Sequence, residues 1–336
     1  MRTLRNLLLG MAVAGAAGSV PAAEQAANPQ AAGNQLIISS QGITAYDRES
    51  LQSRWQLLQG EQTDELVMAG GLLLATSSSG LYAIDTTAGR VVWKLPSDTR
   101  LFTPTVDAGT VYLAGEDGRL RALELQSGHP LWQRRFPGWV YPPAVQGDRL
   151  YTGGSDGRLW ALKRTDGSHL WERSLGQQLV YRPVLTRQGS LITTNFNGEV
   201  QAFSKGGELL WRKRLPSVLL SPVEVDGRLI FSGLDNRLYA LDGTSGETGW
   251  SLSLGDRLAA PLVVHQGSLL AGLDDGRVLE IGLADGQSRT LYRLDATPVA
   301  SPYPLRQGTL MFLKTFGIPR AIILNRQPGN LPSKEI

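Results

Sequence analysis

The chain has 336 residues, of which 42% are hydrophobic and 19% are charged, with 39 glycines and a net charge of +3. This balance is typical of a globular protein with many tight turns and argues against a disordered or fibrous chain. The small charge argues against a nucleic-acid partner. After residue 22, no run approaches the roughly 18 apolar residues of a membrane-spanning helix, so we expect no membrane span.

The N-terminus has the layout of a secretory signal peptide. Residues 2–5 carry two arginines, residues 7–20 are apolar and rich in alanine, and residues 20–22 (Val-Pro-Ala) suit a signal peptidase. We expect residues 1–22 to be removed and the protein to be exported to the periplasm. Removal of the two arginines lowers the net charge to +1. A buried N-terminal helix is the alternative.

The rest of the chain divides into three parts. Residues 23–34 are small and polar and are expected to form a disordered leader, residues 35–325 carry repeats, and residues 326–336 are expected to form a flexible tail. The chain has no cysteine. We therefore expect a fold held together by packing alone and no lipid anchor on a cysteine.

Tryptophan recurs through the repeats at intervals of 38 to 40 residues. The recurring residues are Trp55, Trp93, Trp132, Trp171, Trp211 and Trp250. The last five each follow a glycine by four positions, as Trp171 follows Gly167. A fixed period of this length indicates a stack of identical structural units.

One unit, residues 142–175, reads as four short strands. The segments PPAVQ, RLYTGG, RLWALK and HLWERSL are separated by turns rich in Asp and Gly. The fold class is therefore all-β, a β-propeller of four-stranded antiparallel blades. Eight segments match the second strand and eight match the third, which favours eight blades, with the first and last either incomplete or completing each other. Seven blades with a shared closing blade remain open. The tryptophan lies on the outermost strand and is expected to pack across the seam to the next blade.

The links between blades carry apolar residues where polar loops would be expected. Examples are RLFTP, GWVYPP, QLVYRP and SVLLSP. We expect these residues to gather on one face around the ring opening and to bind protein. The candidate binding residues are Phe102, Trp139, Tyr141, Tyr181, Arg182 and Leu219. The alternative is that such residues fill the seams between blades. The basic runs at 134–135 and 212–214 are expected to protect exposed strand edges.

The repeat resembles the PQQ-type β-propeller repeat. The segments TPTVDAGTVYLAGEDGRLRALELQSGHPLW and SPVEVDGRLIFSGLDNRLYALDGTSGETGW carry the resemblance, which covers roughly residues 35–325. Two groups use this repeat. One group is the quinoprotein dehydrogenases, which hold pyrroloquinoline quinone, and the other is similar to the BamB assembly factors of outer-membrane β-barrel proteins, which act as scaffolds.

The chemistry of a quinoprotein does not match this chain. Those enzymes use a metal ion, a carboxylate base, a cysteine pair and long inserted loops. Here the loops are short, cysteine is absent, and Asp117, Asp156 and Asp275 already serve in turns. The histidines 129, 169 and 265 lack the spacing of metal ligands. We therefore expect no enzyme, no cofactor and no metal.

The resemblance implies a non-enzymatic periplasmic scaffold with a BamB-like role in outer-membrane protein assembly. Its partners would be envelope proteins, such as the barrel-assembly machinery or unfolded outer-membrane proteins, and we expect a monomer held at the outer membrane's periplasmic face only through a partner. Two alternatives stay open: a quinone-binding oxidoreductase-like propeller, and a sensor or accessory propeller of another envelope system. The absence of a lipidation cysteine departs from the BamB pattern.

The signal peptide leads to a direct test of export. The purified mature protein should begin at Ala23 or Glu24, because signal peptidase cleaves after small residues. N-terminal sequencing of the osmotically released fraction checks this. A protein recovered from the cytosol with Met1 intact would contradict it.

Overall fold

The structure is a computed structural model. It describes residues 30–47, 50, 52–179, 181–295, 297–298, 303–305, 308–315 and 318–325. The predicted signal peptide (1–22), the first part of the leader and the C-terminal tail (326–336) lie outside the described residues.

The described residues form thirty strands and no helix. The first sheet contains β1 (Gln30–Ala32), β2 (Gln35–Asp47), β3 (Ser53–Ala69), β4 (Leu72–Ser77), β5 (Gly80–Asp85) and β6 (Arg90–Pro96). The second contains β7 (Thr105–Asp107), β8 (Thr110–Ala114), β9 (Arg119–Glu124) and β10 (Pro130–Arg135). The third contains β11 (Ala144–Gln146), β12 (Arg149–Gly153), β13 (Arg158–Lys163) and β14 (His169–Ser174).

The later sheets repeat this arrangement. The fourth contains β15 (Val184–Leu185), β16 (Leu191–Thr194), β17 (Glu199–Phe203) and β18 (Leu209–Arg214). The fifth contains β19 (Val223–Val225), β20 (Arg228–Ser232), β21 (Arg237–Asp242) and β22 (Thr248–Ser253). The sixth contains β23 (Val263–His265), β24 (Ser268–Gly272), β25 (Arg277–Gly282) and β26 (Ser288–Arg293). The last contains β27 (Thr297–Pro298), β28 (Tyr303–Leu305), β29 (Gly308–Thr315) and β30 (Ile318–Asn325).

The first six sheets are antiparallel meanders, and this architecture confirms the predicted propeller fold of four-stranded blades. In the five sheets from β7 to β26, strands pair in chain order from a short inner strand to an outer edge strand. The first sheet has six strands and the last pairs β29 with β27, β28 and β30. Because the first sheet joins a partial unit to a complete one, the number of blades, eight or seven, stays a prediction.

The first unit differs from its predicted strands. The segments LIISS and GITAYD each match one strand of the repeat, but they form the single strand β2. Likewise RWQLL and DELVMA join in β3, which pairs with both β2 and β4. The predicted disordered leader also ends early, because β1 pairs with β2 through a tight turn in which Gly33 has φ = 57°. Residues 30–34 therefore belong to the sheet.

The hydrophobic core lies in the two middle strands of each sheet. β12 and β13 are buried at nearly every position, whereas the outer strand β14 is largely exposed. Buried and exposed residues therefore do not alternate along the middle strands. Neighbouring blades cover both of their faces, as in sheets packed on two sides. Accordingly, one core cluster includes Tyr112, Leu159 and Phe203 from three successive sheets.

Each repeat tryptophan packs across a seam, as predicted. In every case the indole Nε1 donates a hydrogen bond to a backbone carbonyl of the following repeat. The pairs are Trp55 with Thr86 (3.0 Å), Trp93 with Leu125 (2.9 Å), Trp132 with Arg164 (3.1 Å), Trp171 with Lys205 (3.1 Å), Trp211 with Gly243 (3.2 Å) and Trp250 with Leu283 (3.0 Å). The bond satisfies the ring's one polar atom within a largely apolar seam.

The glycine before each repeat tryptophan serves the tryptophan of the preceding repeat. A Cβ placed on Gly207 would lie 3.0 Å from the ring of Trp171, and one on Gly246 would lie 2.5 Å from that of Trp211. Both glycines also have positive φ, at 83° and 73°. The glycine thus provides a flat surface for the indole and closes the turn between the third and fourth strands.

A β-bulge precedes each of these tryptophans. On β14, His169 and Trp171 pair with consecutive residues of β13, so Leu170 has no partner in the ladder. The same shift occurs one residue before Trp93, Trp132, Trp211 and Trp250. A bulge bends a strand and redirects its side chains. Here it turns the indole toward the neighbouring blade and leaves the bulged residue facing solvent.

Replacement of Trp171 by alanine should lower the free energy of unfolding by about 3–5 kcal/mol, because it removes both the seam contact and its hydrogen bond. The adjacent bulge residue provides a matched control. Leu170→Ala should cost no more than about 0.5 kcal/mol. Chemical unfolding monitored by fluorescence and circular dichroism measures both. Equal costs would show that the indole is not a seam residue.

Candidate protein-binding surface

The links between blades are held rigidly against the turns that join the second and third strands. Each link begins with a backbone N–H that donates to the last residue of such a turn, as Phe136 donates to Gly118 (2.7 Å) and Leu175 to Gly157 (2.8 Å). Four residues later the link forms a single β-bridge. The bridges are Leu101–Gly115, Val140–Gly154, Leu179–Asn195, Leu219–Gly233 and Leu258–Leu273. Links and turns therefore share one face, which we call the link face.

The residue before each bridge lies beside the second residue of the turn. Backbone N–H groups of the turn donate to the link: Glu116 to Arg100 (2.9 Å), Ser155 to Trp139 (3.0 Å), Leu234 to Val218 (3.0 Å) and Asp274 to Arg257 (2.9 Å). The first and last of these pairs in chain order, Glu116 with Arg100 and Asp274 with Arg257, consist of charged residues. The two pairs between them are uncharged. The link face consequently has an apolar middle, formed by the half-buried Trp139, Phe196, Val218, Leu220 and Leu234.

Ionic pairs flank this apolar middle. Arg257 donates from Nε to Oδ2 of Asp274 at 2.5 Å. At the other end, burial raises the pKa of Glu116, and the nearby charge of Arg100 partly opposes this rise. Because each carboxylate has a cation beside it, the flanks are polar without a strong net charge. Such a polar rim around an apolar centre is typical of protein interfaces.

Two of the apolar residues were missed by the sequence analysis. Phe196 and Leu234 occupy the turn position that holds Glu116, Ser155 or Asp274 in other repeats. A large apolar residue in a hairpin turn is unusual, since turns favour Gly, Asn, Asp and Ser. Alignment of the repeats against one another would have identified both positions.

Three of the predicted binding residues are buried in the seams. Phe102 and Tyr141 pack together with ring centroids 5.5 Å apart, and the Tyr141 hydroxyl donates to the carbonyl of Leu179 at 3.4 Å. Leu219 forms the bridge to Gly233 and is fully buried. For these three residues the structure supports the alternative of seam packing.

Tyr181 and Arg182 lie differently from Tyr141, although each tyrosine stands two residues before a proline. Tyr141 directly follows its bridge residue, Val140, whereas Tyr181 lies two residues after Leu179. The third link is thus one residue longer between bridge and proline. The two tyrosines therefore lie at different places relative to their bridges and are not equivalent. Tyr181 is half-buried and Arg182 is exposed.

Trp139, Tyr181 and Arg182 are the predicted residues that remain on the link face. The guanidinium carbon of Arg182 lies 6.0 Å from the ring centroid of Tyr181, within the range of a cation–π contact. The expected grouping of Trp139 with Tyr141 is wrong, because Tyr141 packs inward against Phe102. Val180, also expected here, lies outside the described residues.

One basic run has a role that was not predicted. Arg134 was expected to protect a strand edge, but its Nη1 donates to the carbonyl of Gly167 in the next repeat at 3.0 Å. Arg173, at the equivalent place on β14, donates to the carbonyl of Gly207 at 2.8 Å. Arg134 is therefore a seam residue. Arg134 and Arg173 each lie two residues after a repeat tryptophan, and this shared position in the repeat could have indicated the seam role from the sequence.

The acidic residues of the turns are occupied locally. Oδ1 accepts a backbone N–H two residues ahead in Asp117 (3.0 Å), Asp156 (3.1 Å) and Asp275 (3.0 Å). Asp235 accepts a hydrogen bond from the hydroxyl of Tyr239, and burial together with this contact raises the pKa of that tyrosine to about 12. Among the described residues, no group of three His, Cys, Asp or Glu could hold a metal ion.

The architecture defines the class of protein as a PQQ-type β-propeller. A family model described as outer membrane protein assembly factor BamB matches residues 18–99, 39–203 and 180–310, which is more than half of the chain. The chain therefore belongs to the BamB family.

Similar proteins agree with this family. The chain is 30% identical over 107 residues to an outer membrane protein assembly factor BamB of Nitrosomonas eutropha, covering 29% of this chain. It is 35% identical over 96 residues to the BamB of Bordetella pertussis, covering 27% of this chain. In both cases the match spans 25% of the relative's length.

Solved structures resemble the fold over most of the chain. The BamB of Moraxella catarrhalis superposes with a TM-score of 0.71 and 17% identity, covering 90% of this chain and 96% of that one. The computationally designed protein Ika8 gives a TM-score of 0.73 with 12% identity, covering 90% and 97%. At these identities the likeness concerns the fold alone. None of the described residues belongs to a helix long and apolar enough to cross a membrane.

The different placement of the two tyrosines can be measured. Tyr141→Ala should lower the free energy of unfolding by about 3–5 kcal/mol, because it empties a buried aromatic site. Tyr181→Ala should cost less than about 1 kcal/mol. Urea unfolding of the two variants distinguishes them. If Tyr181→Ala destabilises the protein as much as Tyr141→Ala, then Tyr181 is also a seam residue.

Proposed function

We propose that this protein is a non-catalytic periplasmic scaffold that binds other envelope proteins through its link face and thereby supports the assembly of outer-membrane β-barrel proteins. Membership of the BamB family supports the role in assembly. Export is supported by the basic and apolar N-terminal residues, which suit a signal peptide. Its partners would include a component of the barrel-assembly machinery or the unfolded barrel proteins themselves.

The observation that carries the proposal is the apolar middle of the link face. Trp139, Phe196 and Leu234 are half-buried on segments that hydrogen bonds fix at both ends. A rigid apolar surface loses little conformational freedom on binding, and this favours affinity. Aromatic anchors near the centre of an interface usually supply most of the binding energy.

The charged residues of the link face suggest how a partner is oriented. Arg182 is exposed beside Tyr181 and offers a planar set of donors to a carboxylate or a backbone carbonyl. The ionic pairs at both ends of the apolar middle would remain hydrated at the rim. We therefore expect the partner segment to place apolar side chains over Trp139 and an acidic or carbonyl oxygen near Arg182.

A scaffold role without catalysis is supported by how the polar residues are used. The turn carboxylates accept backbone N–H groups, and Glu61 accepts hydrogen bonds from Ser77 (2.6 Å) and Ser79 (2.7 Å). Burial alone would raise the pKa of Glu61. The two serine hydrogen bonds, a third from Tyr82 and the charge of Lys94 outweigh it and lower this pKa. A carboxylate held ionised in this way is a poor general base near neutral pH.

A capture experiment tests the link face. The mature protein is immobilised, an envelope extract is passed over it, and the bound proteins are identified by mass spectrometry. A purified partner is then titrated against variants. Tyr181→Ala and Arg182→Ala should each weaken binding by about 2 kcal/mol or more, roughly thirtyfold, because they truncate interface anchors.

Arg135→Ala serves as the matched control, since Arg135 is an exposed arginine on the outer strand β10. It should leave the affinity nearly unchanged, and melting curves should show that all three variants fold. If only the Arg135 variant loses binding, the outer strands rather than the links form the interface.

A further inference from the structure

Exposed apolar side chains are concentrated on the outer strands. Among the described residues, six of the seven large exposed ones lie there, one or two positions before a repeat tryptophan: Val91, Val92, Leu131, Leu170, Leu209 and Leu210. On β18 two leucines are adjacent, with Leu209 50% and Leu210 51% exposed. The bulge explains the exposure of Leu210, which has no partner in the ladder with β17, whereas Leu209 pairs with Phe203. β18 therefore directs two neighbouring leucines into solvent.

A surface cavity of about 390 Å³ lies beside these leucines, between β14 and β18. Its lining includes Arg173, Phe203, Gly207, Glu208, Leu209 and Arg212. Its apolar lining includes the buried ring of Phe203 and the exposed side chain of Leu209. Its polar lining includes two guanidinium groups and one carboxylate. We call this cavity the β14–β18 groove.

The two arginines of the groove are held differently. Arg173 donates from Nε to the carbonyl of Gly207 and from Nη1 to that of Glu172, both at 2.8 Å, and these bonds fix its guanidinium plane. Arg212 is less constrained, because its side chain is 69% exposed and its Nη1 lies 4.0 Å from Oε1 of Glu199. A fixed donor and an adaptable donor can together bind a tetrahedral anion.

The surroundings of the groove add positive charge. Arg212 is followed by Lys213 and Arg214 on β18, and Lys205 lies in the turn before that strand. Glu208 is the one acidic residue that lines the groove. This surface therefore combines exposed leucines with a local excess of cations, although the whole chain is nearly neutral.

We propose that the β14–β18 groove docks onto an anionic phospholipid surface. Arg173 and Arg212 bind the phosphate of a headgroup in the groove, and Leu209 and Leu210 enter the boundary between headgroups and acyl chains. Lys213 and Arg214 add attraction to neighbouring headgroups. Apolar side chains beside basic ones are the combination by which peripheral proteins bind anionic membranes.

An extended peptide added to the edge of β18 fits the groove less well. Strand addition needs a regular ladder, and the bulge at Leu210 interrupts it. Lysine and arginine on an edge strand also oppose pairing with a further strand. A lipid surface needs no ladder and uses the leucines and the cations together. The proposal uses no link-face residue, so it stands independently of the protein-binding function.

Vesicle co-sedimentation of the mature protein tests the proposal. Vesicles of phosphatidylcholine alone are compared with vesicles of equal parts phosphatidylcholine and phosphatidylglycerol. Binding should require phosphatidylglycerol and should weaken as salt is raised. Arg212→Gln should reduce partitioning about fivefold, which corresponds to the roughly 1 kcal/mol per basic residue near an anionic surface. Leu210→Ser should reduce it at least as much, and Glu208→Gln should increase it.

Matched controls lie on β10, which has the same position in its blade. Leu131→Ser changes a bulge residue that is 58% exposed, and Arg135→Gln removes one positive charge, so both should leave partitioning unchanged. Melting curves check that every variant folds. Equal binding to both kinds of vesicle, equal losses in the β10 variants, or displacement of the protein from vesicles by an acidic apolar peptide would overturn the proposal.

Discussion

The contact between each repeat tryptophan and the glycine of the next repeat is the interaction on which the propeller depends. A blade cannot bury both faces of its middle strands by itself. The indole closes the outer part of the seam, and its Nε1 hydrogen bond ties the two blades together. Three local features make this contact: a bulge that turns the ring, a glycine without a Cβ, and an available carbonyl. The loss of any one weakens two blades at once.

The same seams determine which residues remain for binding. Links that follow a blade are hydrogen-bonded to the turn of that blade and then form a bridge, so most of their apolar side chains are used in packing. Tyr141 and Phe102 belong to this group. The link that contains Tyr181 is one residue longer between its bridge and its proline, and Tyr181 stays half-buried where Tyr141 is buried. A link whose length departs from the repeat can therefore leave side chains on the surface, where they are available to bind a partner.

The propeller also separates two kinds of surface. The link face has an apolar middle flanked by charged residues, and the outer strands carry exposed aliphatic side chains, which on β18 lie beside the weakly paired Arg212. The bulge on each outer strand produces the exposed aliphatic side chains there. It turns the tryptophan inward to the seam, and the residue before the tryptophan is thereby turned outward into solvent. Seam stability and outer-strand chemistry thus arise from one backbone feature.

The sequence by itself determined the strand pattern, the propeller fold, the BamB-like repeat and the seam role of the tryptophans. These follow from local spacing: an alternating segment, an Asp-Gly turn and a tryptophan every 38 to 40 residues have the same meaning in each repeat. The tertiary structure decided which apolar link residues are buried, because that depends on where each bridge forms and on which blade lies beside it. It also assigned Arg134 to a seam, brought Phe196 and Leu234 to the link face, and formed the β14–β18 groove from two strands of different blades.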